Sequence, residues 1–131
     1  MKRFLAAVGF AVAALAVSLE AMASQAVNSE KLIAVMVVVK APPGITRAAI
    51  DEGFAKAVPT YQKIPGLMRK YFIVNDGGFG GMYLWKSRAA AEAWFTPEFV
   101  AKSKARYGTE PQIIYFDTPI QLDNSPSPSG G

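Results

Sequence analysis

KIPGLMRKYFIVNDGGFGGMYLWKS (residues 63–87) carries two apolar, aromatic-rich runs around a glycine-rich centre. Leu67–Val74 and Met82–Lys86 favour strands, and NDGGFGG between them is hairpin chemistry, so the stretch predicts an antiparallel pair. Arg69 and Lys70 stand side by side in the first strand with no acid beside them. Neighbours along a strand point to opposite faces, so this pair puts one cation on each side of a sheet.

Upstream lies KLIAVMVVVK, residues 31–40, apolar without a break from Leu32 to Val39. A continuous β-branched run predicts a strand buried on both faces. After the loop APPGIT, Thr46 caps a helix whose apolar positions, Ile50, Phe54, Ala57, Val58 and Tyr61, recur at helical steps. Pro59 is expected to end or kink that helix. Downstream, Ser87 caps a second helix carrying Ala90, Ala91, Trp94 and Phe95. Thr96-Pro97 restarts it, Phe99, Val100, Ser103 and Tyr107 share a face, and Gly108 closes the segment. PQIIYFD, residues 111–117, is the fourth strand.

The order β-α-β-β-α-β predicts an α+β, ferredoxin-like domain: a four-stranded antiparallel sheet with its helices on one face. Strands one and three are then central, and the charged second strand lies at an edge, where Lys and Arg discourage edge-to-edge aggregation. The other sheet face is bare and apolar. Its simplest cover is a second copy, sheet against sheet, so a homodimer is expected.

The chain has 131 residues, enough for one domain. Lys2-Arg3, the apolar run Phe4–Val17 and Ala21-Met22-Ala23 have the layout of a secretory signal peptide over residues 1–23. That run falls short of the roughly 20 residues of a membrane span, so no membrane anchor is expected after cleavage. Periplasmic or secreted localisation follows. The domain is expected over 24–122, and DNSPSPSGG, residues 123–131, as a disordered tail. Loss of Lys2, Arg3 and Glu20 takes the formal charge from +4 to +3. The remaining cations are scattered, which argues against nucleic acid as a partner. The chain has no cysteine and no histidine. Disulfides, histidine-based nucleophile systems, His/Cys zinc sites and histidine-ligated haem are all excluded.

Lys70 is the candidate catalytic residue. It shares a strand face with Met68, Phe72 and Val74, and an amine among apolar groups has its pKa pushed down. It can then serve as a base or hold a phenolate or enolate. Arg69 is either an edge guard or part of a ligand face. Tyr83 and Trp85 share one face of the third strand, and Arg69 and Tyr71 are read onto that same face, which suits a flat aromatic ligand. Packing of large aromatics in the core or a dimer interface is the alternative. Trp94 is a further ligand-contact candidate among the helix aromatics. Phe79, at the hairpin tip, is a candidate flap. NDGGFGG fits neither G-x-G-x-x-G nor a P-loop, and Asn75-Asp76 shape its turn. The carboxylates are dispersed, so no metal site is expected.

GITRAAIDEGFAKAVPTYQKIPGLMRKYFIVND, GGMYLWKSRAAAEAWFTPEF and YGTEPQIIYFDTPIQLDN together resemble the YdhR-type monooxygenases, small proteins related to the antibiotic-biosynthesis monooxygenases. The resemblance runs from Lys31 to Asn124. Its most specific parts are Pro65-Gly66-Leu67 with Lys70, Gly80-Gly81-x-Tyr83-Leu84, and Tyr115-Phe116-Asp117. It implies a dimeric α/β barrel packed through its sheets, with a cavity between sheet and helices in each subunit. It also implies cofactor-independent oxidation of a small quinol- or polyketide-like aromatic, and places Asn75 where a polar substrate contact is expected. Haem-degrading relatives depend on a histidine, which this chain lacks. The export signal departs from the family pattern. Two functional readings follow: an exported monooxygenase with Lys70 as base and Tyr83 and Trp85 stacking on the ring, or a non-catalytic dimer that binds aromatic or hydrophobic metabolites.

Overall fold

Three hydroxyl caps set where the helices begin. Thr46 Oγ1 accepts from the Ala49 N–H, Ser87 Oγ from Ala90 and Thr96 Oγ1 from Phe99, each at 3.1 Å. They open α1 (Arg47–Gln62), α2 (Arg88–Trp94) and α3 (Pro97–Tyr107) in the computed structural model, which describes residues 31–127. The expected signal peptide and the end of the expected tail lie outside the described residues. Pro97 takes the first position of α3, and Gly108, at φ 87°, closes it with its N–H on the Lys104 carbonyl.

Pro59 does not end α1, which runs on to Gln62. The ring removes one backbone donor at an exposed position, and Tyr61, one turn from Ala57, still anchors the last turn against the sheet. Lys63 then closes the helix, donating to the Thr60 and Tyr61 carbonyls.

The strands are β1 (Ile33–Lys40), β2 (Leu67–Asn75), β3 (Gly78–Trp85) and β4 (Gln112–Asp117). They form one antiparallel sheet in the order β2-β3-β1-β4, with β1 and β3 central. The architecture is the α+β, ferredoxin-like one. β3 starts at Gly78 rather than at the expected Met82. The glycine run belongs to the sheet because β1 passes so close that a Cβ on Gly80 would run into the Val37 carbonyl. Only Asp76 and Gly77 remain as the connection between β2 and β3.

β1 alternates. Ile33, Val35, Val37 and Val39 are buried under the helices, whereas Ala34, Met36 and Val38 are half-buried on the other face. Within a single chain the strand is therefore buried on one side, not on both. The core collects on the helix side, where Trp85 and Ala91 are fully buried with Val35, Tyr83 and Phe95 around them. On the open side Met36 sits opposite Met82, and Met82, Tyr71 and Phe116 are exposed. Among the described residues, no helix is long and apolar enough to cross a membrane.

Candidate functional site

The helices stand off the sheet at one end and leave a cavity of about 690 Å³. Its floor is the helix-facing row of the sheet, including Val37, Lys70, Phe72 and Tyr83; α1 contributes Phe54 and Tyr61, and α3 contributes Phe99, Ser103 and Tyr107. Trp94 closes it from α2. A volume of this size suits a small organic molecule, and the wall is chiefly apolar and rich in aromatic rings.

Lys70 enters from the edge strand. Its Nζ lies 3.1 Å from the centroid of the Tyr61 ring, 3.9 Å from Phe72 and 4.6 Å from Tyr83. No carboxylate lines the cavity among the described residues. Burial without a counter-charge disfavours the ammonium form and pulls the amine down to about 7. Gly81 makes the arrangement possible. A Cβ there would come within 2.7 Å of both Lys70 Cε and the Tyr83 ring, so lysine and tyrosine converge over a position with no room for a side chain.

The two phenols differ from the amine in protonation. Burial, followed by the neighbouring Tyr61 phenol, holds the Tyr83 hydroxyl far above the usual tyrosine range. Burial also raises Tyr61, against a smaller downward pull from the Tyr83 hydroxyl. Tyr61 and Tyr83 therefore stay protonated as hydrogen-bond donors, while Lys70 is poised to accept a proton near neutral pH. The rings hold one another edge-on: Tyr61 meets Phe72 at 5.6 Å and 90°, and Trp94 at 5.7 Å and 64°. The Trp94 Nε1–H is buried with no acceptor among the described residues.

Of the residues singled out in the sequence, Lys70, Tyr83 and Trp94 come together in this cavity. Arg69 and Tyr71 do not share the face of Tyr83. They lie on the open side of the sheet, opposite Leu84 and Met82, with Arg69 donating to the Tyr71 hydroxyl at 3.3 Å. Trp85 is core rather than cavity wall, fully buried and stacked on Tyr83 at 6.0 Å. Asn75 is outside the cavity. Its Oδ1 accepts from the Gly77 and Gly78 N–H groups at 2.9 and 3.0 Å and holds the hairpin turn. Phe79 is not a mobile tip but a buried strand residue packed edge-on against Tyr107 at 5.1 Å.

Tyr61, Phe72, Gly81 and Arg106 were not among the sequence candidates. A tyrosine on the apolar stripe of the first helix was the one available signal, because a buried phenol wants a partner. Among the described residues no group of His, Cys, Asp or Glu is placed to hold a metal.

No protein-family profile matches the chain, and no curated protein does either. Solved structures do match in fold. A protein of unknown function from Nitrosomonas europaea aligns over 75% of this chain and 97% of its own, at 18% identity and a TM-score of 0.56. A candidate antibiotic biosynthesis monooxygenase from Caulobacter crescentus covers 68% of this chain and 91% of its own, at 18% identity and a TM-score of 0.51. A monooxygenase of Streptomyces coelicolor, solved with the ligand nanaomycin D, covers 72% and 93%, at 14% identity and a TM-score of 0.53. The chain thus has the fold of the antibiotic-biosynthesis-monooxygenase-like proteins, with an aromatic cavity between sheet and helices.

Proposed function

We propose that this protein is a cofactor-independent monooxygenase of the YdhR type, acting on a small quinol- or polyketide-like aromatic bound in the cavity. The observation that carries the reading is the Lys70 amine, caged by three aromatic rings with no acid in the cavity wall among the described residues. Uncharged, it takes the proton of a substrate hydroxyl. The resulting anion reduces O2 itself, a ring C–O bond forms, and loss of water leaves a quinone. Tyr61 and Tyr83 donate hydrogen bonds to the anion, and the aromatic wall orients the ring and keeps it dry. The solved monooxygenases of like fold support the class of reaction, and the cavity supports the kind of substrate.

The open sheet face completes the proposal. Met36, Tyr71, Met82 and Phe116 form an apolar surface that a second copy covers, giving a sheet-to-sheet homodimer. The leader-like first 23 residues support reading that dimer as an exported one.

The test is oxygen uptake with a panel of naphthols and hydroquinones, comparing the wild-type chain with Lys70→Met. Loss of uptake by about 10²-fold or more in a folded variant supports the assignment. Uptake unchanged in Lys70→Met removes Lys70 from the chemistry. Binding of the panel without any uptake favours a non-catalytic aromatic binder.

A further inference from the structure

Four cations line the cavity, Lys56, Lys70, Lys102 and Arg106, against no Asp or Glu among the described residues. Two of the four are already matched on their own helices: Lys56 meets Glu52 at 2.8 Å, and Lys102 meets Glu98 at 3.0 Å. Lys70 is the deep amine, which burial lowers to about 7, so that it exchanges its proton near neutral pH. Arg106 is different from all three. A guanidinium does not lose its proton at any working pH. It meets no carboxylate among the described residues, since those ion pairs involve other cations.

Its position gives that charge a direction. Arg106 is exposed at the rim, on the last turn of α3, with its guanidinium carbon 5.5 Å from the centroid of the Tyr107 ring. Its charge reaches inward far enough to bear on the Tyr61 phenol, the ring that also carries the Lys70 amine. The cavity therefore has two poles. A permanent cation with a planar fork of donors stands at the mouth, and a titrating amine stands at depth, with Phe54, Phe72 and Phe99 in the wall between the helices and sheet. An apolar ligand uses neither pole, and a plain phenol uses only the deep one. A carboxylate matches the guanidinium fork.

We propose that the cavity takes a hydroxylated aromatic carboxylic acid, its carboxylate held at the mouth by Arg106 and its hydroxyl turned toward Lys70. This rests on the reading of the cavity as an aromatic-ligand site and adds to it the acid group. The ligand enters hydroxyl first, because the deep amine accepts a proton whereas the rim guanidinium never can.

Calorimetric titration with 6-hydroxy-2-naphthoate and with its methyl ester separates the two claims, since the ester keeps the ring and hydroxyl and loses only the charge. The acid is expected to bind about tenfold more tightly than the ester, the size of one charge-assisted hydrogen bond, and Arg106→Gln is expected to erase that difference. Arg106 is exposed, so the variant keeps its fold, which its thermal melt checks. Equal affinities in the wild-type chain overturn the acid while leaving the aromatic site standing. A preference that survives Arg106→Gln overturns Arg106 as its origin. Failure of both probes to bind, with the chain folded, overturns the site itself.

Discussion

Lys70 stands directly across from Tyr83 in the sheet, and it does so because β2 is bulged between Leu67 and Arg69. Leu67 pairs with Trp85, and an unbroken ladder from that point would set Arg69 against Tyr83. The extra residue, Met68, shifts the register by one, and a shift of one exchanges the two faces of a strand. The bulge therefore turns the amine into the cavity and the guanidinium out to the open side. Deleting Met68 removes the extra residue and leaves Leu67 across from Trp85, Arg69 from Leu84 and Lys70 from Tyr83 as a regular ladder. That variant is expected to keep the near-neutral titration of Lys70, observed by NMR of the methylated lysine amines. Loss of the signal titrating near pH 7 in the folded variant would mean that the pairing beyond the bulge is not what holds the amine in the cavity.

Gly81 is the second condition for that contact. A methyl group there meets Lys70 Cε and the Tyr83 ring at 2.7 Å, closer than real Cβ atoms approach. Gly81→Ala is expected to cost about 1–3 kcal/mol in urea unfolding, the usual range for overpacking. It should also push the lysine amine toward solvent, raising its pKa toward the ordinary value. Unfolding free energy and lysine titration measured on the same variant check both halves.

The pH dependence follows from Lys70 alone among the cavity cations. Its folded-state value, about 7, lies below the ordinary 10.5, so the folded chain holds fewer protons than the unfolded one between those values. Stability therefore climbs with pH across that window, and the burial penalty is complete below pH 7. Lys70→Met is expected to be more stable than wild type by about 1–3 kcal/mol at pH 6, a figure reduced from the full shift because the amine is only part-buried. The gap should close by about pH 11, where both states of the wild-type chain are neutral at this site. Oxygen uptake, if Lys70 is the base, rises with pH through about 7 and then levels. Chemical denaturation at pH 6 and 10.5 reads the first effect, and an uptake profile reads the second.

Much of this arrangement was legible in the chain. Thr46, Ser87 and Thr96 announced three helix starts, because a hydroxyl ahead of an apolar period has little else to do. The alternation of strands and helices pointed to the sheet order, and an amine flanked by Phe72 and Val74 was visible as an oddity. The bulge was not visible, because nothing in Leu67-Met68-Arg69 signals an extra residue, and every assignment of Arg69 and Tyr71 depended on it. Gly78–Gly81 read as loop because glycine is common in loops, whereas here close backbone approach demands it. Trp85 read as a ligand contact for want of any sign of depth. Only the packed fold distinguishes a tryptophan under a helix from one beside a cavity.

Trp85 makes that distinction measurable. It is fully buried between Tyr83 and Phe95, with ring centroids at 6.0 and 5.6 Å. Trp85→Ala is expected to lose about 3–5 kcal/mol in urea unfolding, as large-to-small core changes do. Trp85→Phe fills most of the space and removes an indole N–H that has no acceptor among the described residues, so it should cost much less. Trp85 itself does not line the cavity. In the folded Phe variant, affinity for an aromatic probe is expected to match wild type, and a weakened probe would return Trp85 to the site.

The open face carries the last prediction. Met82 and Tyr71 are opposite one another across β2 and β3, at 50% and 57% exposure, on a side of the sheet that no helix among the described residues covers. If a second copy covers it, a carboxylate at Met82 is buried without a partner at the dimer contact in both subunits, an unfavourable placement. Met82→Glu is expected to convert the dimer to a monomer in analytical ultracentrifugation. In the isolated chain Met82 is half exposed, so the substitution should leave the monomer's own unfolding within about 0.5 kcal/mol. A wild-type chain that sediments as a monomer would leave this face without its proposed occupant, and a Met82→Glu variant that stays dimeric would move the contact elsewhere.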